Sequence, residues 1–320
     1  MALAPQSPAY RAPRLFQALR VLDLLEFTGS AVQAAELLQL SQSSVVRHSR
    51  RMTAELGLEL GPPSDPQGLS CGDGACLRLL RRAAKRHRLD AGVARIAADG
   101  WLSGALQDLN PVLPLPARFR PLRQWHALVR SHVLDGALVW GQDLRQQIPE
   151  LSAQQELRSG LFWDGCVLVP VGAMPLQLVR AQHQPRCRPG MPRWSGVLLP
   201  PLPCCPAITS LVQQQQRQPL HLCSGHNNPV TWAESLRGNP VDALVSPGWR
   251  RQLEATGLAL QPVPFAPGIT AEVWLLVHRR DWTRQPQLTE LAGLIGDQLN
   301  RGPVSCDPLI HQPDKLSAMQ

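Results

Sequence analysis

The sequence predicts an α/β protein that begins with an all-α helix-turn-helix domain. Three observations predict it. From residue 14 apolar residues recur at three- and four-residue spacings, in three short stretches punctuated by helix-capping residues and closed by Gly57. Beyond residue 91 short β-like apolar runs alternate with helical ones. Positive charge is concentrated near the start: residues 1–90 hold 12 Lys and Arg against 8 Asp and Glu, half of the net charge of +8 in little more than a quarter of the 320 residues.

In chain order, residues 1–13 are rich in Pro and Ala and read as a loose tail. Leu15, Phe16, Leu19, Leu22 and Leu25 define a first helix that Gly29 stops. Ser30 caps a second helix, with Gln33 as the returning half of a capping box, and Ala34, Ala35, Leu37 and Leu38 form its inner face. Ser41 caps a third, over 42–56. There Val45, Met52 and Leu56 make an inward stripe, while Ser43, Arg47 and Arg50 fall on another face with Arg51 beside them. Three helices so spaced read as a helix-turn-helix, core 30–51, with the third helix suited to a major groove. Ser41, Gln42, Ser43, Ser44, Arg47 and His48 are the candidate groove and base-edge contacts, and Arg50 and Arg51 the phosphate contacts.

Residues 58–73 are turn-rich and read as a poor hairpin at best. Over 74–89 six basic residues stand with no acid, and Leu77, Leu80 and Ala84 form a narrow apolar stripe. That pattern suits a helix that pairs with a partner helix and lays its basic faces against phosphates. Beyond it, 93–98, 117–122, 135–140, 166–170, 196–199, 241–245 and 272–277 read as strands. A small helix holding Trp101, Leu102 and Leu106, a helix over 125–134 and an amphipathic helix over 288–299 lie among them, and 303–320 reads as a tail.

Composition narrows the function class. A hydrophobic share of 44% is too high for a disordered chain, and 8 Cys in 320 residues are too few for a disulfide scaffold. No apolar run approaches the ~20 residues of a membrane span, and the first residues lack the apolar core of a secretory signal. The expectation is a soluble cytoplasmic protein with reduced thiols. Clustered Arg points to a polyanionic partner, double-stranded DNA first.

Gly29, Ser30, Ala34, Ala35, Leu37, Leu40, Ser41 and Gln42, followed by Arg47, Arg50, Leu56 and Gly57, resemble the N-terminal helix-turn-helix of LysR-type transcriptional regulators. The resemblance is specific over 14–57 and only topological beyond residue 91. It implies a winged helix-turn-helix domain over 14–73 and a dimerisation helix over 74–90, through which the chain forms a homodimer or homotetramer. It also implies a periplasmic-binding-protein-like effector domain over 91–302, with two α/β lobes and crossovers near 165 and 268. DGALV (135–139), VDALVSP (241–247) and VHRRD (277–281) resemble that domain's strand motifs. The chain departs from the family at the wing: Leu60, Gly61, Pro62 and Pro63 stand where a Phe and an Arg are usual. Val46 stands where a Ser is usual in the third helix. The implied function is a DNA-binding regulator that answers a small-molecule effector; the alternative is a ligand-binding or interaction protein of the same fold with weakened DNA recognition.

In such a domain the turn after the first strand often holds an anionic group, which here makes Asp99, Gly100 and Ser103 the candidate effector contacts. Asp99 repels a carboxylate, and an ordinary cap is its plainer reading. Cys204, Cys205, Cys223 and His226 lack zinc-site spacing, so no metal is expected; a thiol switch needs a low-pKa exposed thiol, and buried inert Cys is the plainer reading. No phosphate-binding loop, zinc-protease run or nucleophile elbow occurs, so no catalytic residues and no cofactor are assigned.

Overall fold

The computed structural model describes residues 10–58, 74–113, 115–148, 161–182, 196–215, 221–222, 228–264 and 268–300. The positions of the altered wing motif, of Cys223 and His226, and of the tails at 1–9 and 303–320 lie outside them.

The first three helices are α1 (Arg14–Thr28), α2 (Ala31–Leu38) and α3 (Gln42–Glu55). Each boundary has a local cause. Gly29 takes the left-handed φ of 64° that ends α1, at little cost for a residue without a Cβ. The Ser30 hydroxyl accepts from Gln33 N, and Ser41 does the same from Ser44 N. Leu19, Leu22 and Met52 pack together on one side of α1, and Val21, Leu24, Ala34, Ala35 and Val45 on the other. Leu15, expected in the apolar stripe, is 74% exposed.

Helix α4 (Ala75–Asp90) corrects two expectations. Its stripe of Leu77, Leu80 and Ala84 packs inside the chain on α1, beside Phe16 and Leu19, and is spent there rather than on a partner helix. Half of its cations are not turned to solvent: Arg81, Lys85 and Arg88 are buried. Arg81 Nε donates to Asp23 Oδ1 at 2.8 Å, and its Nη2 to Glu26. Arg88 grips both oxygens of Asp135, at 3.2 and 2.6 Å, and Lys85 pairs with Asp281 at 2.7 Å. Arg95 closes the set on Asp23 at 2.9 Å. Buried charges persist only when paired, so the acids of α1 and of the second domain draw these side chains inward. The first three helices are thereby fixed to the α/β part of the chain, with Arg120 donating to the carbonyl of Phe27 and the Phe27 ring 6.5 Å from Trp125. Tyr10, placed by sequence in a loose tail, sits with its hydroxyl 3.1 Å from His87 Nδ1.

The rest is α/β. Nine described strands are β1 (Ile96–Ala97), β2 (Gly136–Trp140), β3 (Leu161–Trp163), β4 (Cys166–Ala181), β5 (Val197–Leu199), β6 (His221–Leu222), β7 (Asp242–Val245), β8 (Leu260–Val263) and β9 (Ile269–His278). Their order is β1-β2-β9-β4-β7-β5-β6, with β3 and β8 also on β4. β1 and β2 are parallel, as are β5, β6 and β7. The long strands β4 and β9 pair antiparallel from Cys166–His278 to Leu176–Ile269, with an irregularity between Pro170 and Gly172. One end of β4 thus serves a lobe with β1, β2 and β3, and the other a lobe with β7 and β8. Helices α5 (Leu122–Arg130), α6 (Gly141–Gln147), α7 (Pro206–Gln215), α8 (Pro229–Gly238), α9 (Pro247–Glu254), α10 (Arg279–Trp282) and α11 (Pro286–Asn300) pack around these strands.

Three expected elements differ. Residues 117–122 form no strand: Pro114, Pro116 and Pro121 crowd the segment, and proline supplies no donor to a ladder. The helix expected over 125–134 ends at Arg130, and His132 takes a left-handed φ of 62°. In place of the expected small helix after Trp101 stands a 3-10 turn, Ser103–Leu106.

Candidate nucleic-acid interface

Ser41 both ends the turn and starts α3. Its hydroxyl donates to Ser44 Oγ at 2.8 Å, accepts from Ser44 N at 3.2 Å and lies 3.0 Å from Ser43 Oγ. Ser44 is half-buried and in turn accepts from Arg47 Nη2 at 3.4 Å. Ser41 and Ser44 therefore organise the first turn, and the outward surface is made by other residues of the helix. Inward, Val45, Ser49, Met52 and Thr53 are buried. Outward, Gln42, Ser43, Arg47 and Arg50 are exposed and gather, with half-buried Val46, around one shallow hollow.

That constellation combines two guanidinium forks, one amide and one hydroxyl on a single helix face, the donor set that reads base edges and phosphates. Val46, which removes one polar contact relative to the family pattern, lies among them and offers an apolar surface of the kind that meets a thymine methyl. Two expected contacts stand apart. His48 lines a different depression, with Leu38, Leu40, Gln17 and Arg20. Arg51 donates to Glu55 at 2.7 Å across the exposed face, which offsets its charge locally.

The expected effector contacts are inside a packed seam. Asp99 Oδ1 accepts from Leu102 N at 2.8 Å, and Oδ2 from Trp140 Nε1 at 2.5 Å. Burial raises its pKa to about 7. A Cβ at Gly100 would lie 2.7 Å from both Phe119 and Trp249, so the backbone there is already in contact with aromatic rings. Ser103 Oγ donates to Gly100 O at 2.9 Å and accepts from Gln252 Nε2 at 3.2 Å. Trp101, Phe119 and Trp140 from the first lobe meet Trp232 and Trp249 from the second, with ring centroids 5.5–6.0 Å apart. Sequence reading missed this cluster because its members are scattered between residues 101 and 249, on a turn, a strand end and two helices, and nothing local marks them as neighbours.

Cys204 and Cys205 do not suit redox sensing. Burial pushes Cys204 up to about 12 and Cys205 well above its usual value, so neither forms the thiolate that reacts. Among the described residues no group of three His, Cys, Asp or Glu side chains is placed to hold a metal ion. No described helix is long and apolar enough to cross a membrane.

No family model and no curated protein matches the chain. Solved structures do. A full-length OxyR variant from Pseudomonas aeruginosa is 13% identical at a TM-score of 0.44, covering 95% of this chain and 100% of its own. The full-length LTTR LysG from Corynebacterium glutamicum, with bound effector arginine, is 14% identical at 0.43, covering 91% and 99%. HypT from Salmonella typhimurium, a hypochlorite-specific LysR-type transcriptional regulator, is 15% identical at 0.41, covering 86% and 98%.

Proposed function

We propose that this chain is a DNA-binding transcriptional regulator of the LysR type, with α3 as its recognition helix. The observation that carries the reading is the division of α3. Its inward residues close the three-helix core, while Gln42, Ser43, Arg47 and Arg50 converge outward on one hollow with no acid among the residues that line it. In this reading Arg47, near the start of the helix, reaches base edges with Gln42 and Ser43, and Arg50 holds a phosphate. Arg51 is the weaker phosphate contact because Glu55 already occupies it.

The chain works as a homodimer or homotetramer through α4. Ala75, Leu79 and Ala83 are exposed at four-residue spacing, and Leu79 is 63% exposed. That strip, opposite the one packed on α1, is the surface for a second copy. A small-molecule effector acts at Asp99, Gly100 and Ser103 by prising Phe119 and Trp249 apart, since those rings now fill the space beside Gly100. No enzymatic step, metal or cofactor is part of the reading, and the protein acts in the cytoplasm, on the nucleoid.

Recovery of genomic DNA with the full-length protein tests it. Discrete sites with two-fold related halves are expected. Featureless recovery, or none, overturns the reading in favour of an interaction protein that keeps the fold without DNA recognition.

A further inference from the structure

Phe119 is a ring boxed in by tryptophans. It stacks on Trp232 at 23° with centroids 6.0 Å apart, and meets Trp101 and Trp249 edge-on at 5.9 and 5.5 Å. The three tryptophans come from a turn of the first lobe and from α8 and α9 of the second, and all are fully buried. Two of them carry an unmet donor: Trp101 Nε1 and Trp249 Nε1 have no hydrogen-bond partner among the described residues. Buried N–H groups are ordinarily paired, and the phenyl ring beside them carries no lone pair to accept. Phe119 therefore fills the shape of the box and leaves its hydrogen bonding unanswered.

The segment that delivers Phe119 is neither helix nor strand. Residues 115–121 include Pro116 and Pro121, and a hydrogen bond from Arg118 N to Ala98 O, 3.3 Å, ties them to the first lobe. The side chains around Phe119 reach the first three helices. Leu115 packs against the core that α1, α2 and α3 share. Arg120 donates to the carbonyl of Phe27 at the end of α1, and its guanidinium lies 5.6 Å over the Phe27 ring. One short strap thus has Phe119 in the seam between the lobes and two neighbours on the helix-turn-helix.

We propose that Phe119 stands in for the effector: a flat, uncharged aromatic molecule bearing hydrogen-bond acceptors takes its place among the tryptophans, and the displaced strap loosens Leu115 and Arg120 from α1. The proposal rests on the reading of this domain as an effector domain and names the class of its ligand. An aromatic ring repeats the stacked and edge-on contacts that Phe119 makes, which a saturated ring does not. Acceptors meet the two indole N–H groups, each such bond being worth about tenfold in affinity. An anion meets Asp99, next to the Gly100 backbone that touches Phe119 and Trp249, and a cation meets half-buried Arg118 and Arg120 on either side of Phe119. An uncharged ligand avoids both. Because ligand and Phe119 exclude each other, the ligand binds only the state with the strap displaced, the differential affinity that a population shift requires.

Titration of the full chain with four probes, followed by tryptophan fluorescence and without DNA, tests the proposal. Benzamide has ring and acceptor, toluene lacks the acceptor, cyclohexanecarboxamide lacks the aromatic ring and benzoate adds a charge. Saturable binding of benzamide is expected, with each of the others weaker by about tenfold or more. Phe119→Ala, which removes the competing ring, tightens benzamide binding by about tenfold or more. Trp249→Phe and Trp101→Phe keep a ring and lose the N–H, so each narrows the lead of benzamide over toluene, while toluene binding shows that the box still forms. At saturation with benzamide, amide hydrogen exchange rises over 115–120 and at the end of α1. Absence of benzamide binding to the parent chain, or equal binding of toluene or cyclohexanecarboxamide, overturns the proposal and leaves Phe119 an ordinary core residue. Saturation with no change in exchange over 115–120 or in α1 overturns the displacement of the strap. Failure of the chain to retain DNA would count against the regulator reading and leave these binding results standing.

Discussion

Asp99 holds a proton where an aspartate ordinarily does not. Its pKa of about 7 comes from burial, which outweighs the hydrogen bonds donated by Leu102 N and Trp140 Nε1 to the ionised form, and lies above the ~3.9 of an unfolded chain. Between those values the folded protein carries a proton that the unfolded chain has released, so stability falls as pH rises from about 4 to about 7 and levels above. Asp143, raised to about 6 by burial, adds to the lower part of that slope. Asp99→Asn keeps one acceptor oxygen, loses the other that Leu102 N or Trp140 Nε1 uses, and removes the charge. Thermal melts should show a variant that is less stable than the parent at pH 4 and gains on it as the pH rises to 8; a difference between the two that is the same at both pH values would contradict this account of Asp99. The capping role was legible in sequence, from an aspartate ahead of Gly100. The proton was not, because it depends on how deeply segments distant in sequence bury the carboxyl group.

At the scale of elements, the joint between α1 and α4 shows most plainly what a sequence reveals and withholds. Caps and apolar spacing located α1, α2 and α3 to within a few residues, because those signals are local. The six cations of 74–89 were equally visible, but not which of them turn inward. For Arg81 that depends on Asp23 and Glu26, placed among leucines more than fifty positions earlier, and for Lys85 and Arg88 on Asp281 and Asp135 far downstream; acids inside so apolar a stretch as α1 were the unused signal. Removing Arg81 takes a buried partner from Glu26 and one from Asp23, which keeps Arg95, a loss of about 3–5 kcal/mol for a broken buried pair. Chemical denaturation of Arg81→Ala should show it. A loss of under about 1 kcal/mol, the size of an exposed pair, would mean that α4 is held by its apolar stripe alone. The absent strand at 117–122 has a different cause: its alternation was read without weighing the prolines around it.

Across the whole molecule, β4 and β9 tie two lobes together and five aromatic rings fill the seam between them. The α/β class was legible from alternating runs, whereas the packed seam emerges only once distant segments are brought together. Phe119 touches Trp101, Trp232 and Trp249, so Phe119→Ala leaves a cavity and costs about 3–5 kcal/mol. Intrinsic tryptophan fluorescence should shift, and small aromatic solutes should restore part of the lost melting temperature; an unaltered melt would show that the seam is not packed in solution. The basic side chains divide likewise: an exposed set on α3, which we propose meets DNA, and a buried set that joins the first three helices to the α/β part.

The central claim is that α3 reads sequence. The most direct measurement is the affinity of the full chain and of Arg47→Ala for a duplex site recovered from the genome and for a random duplex, each over a range of salt. The parent should prefer its site, and Arg47→Ala should lose about 1–3 kcal/mol of that preference while still binding both duplexes. Equal affinity of the parent for both duplexes, or a preference untouched by Arg47→Ala, would contradict it.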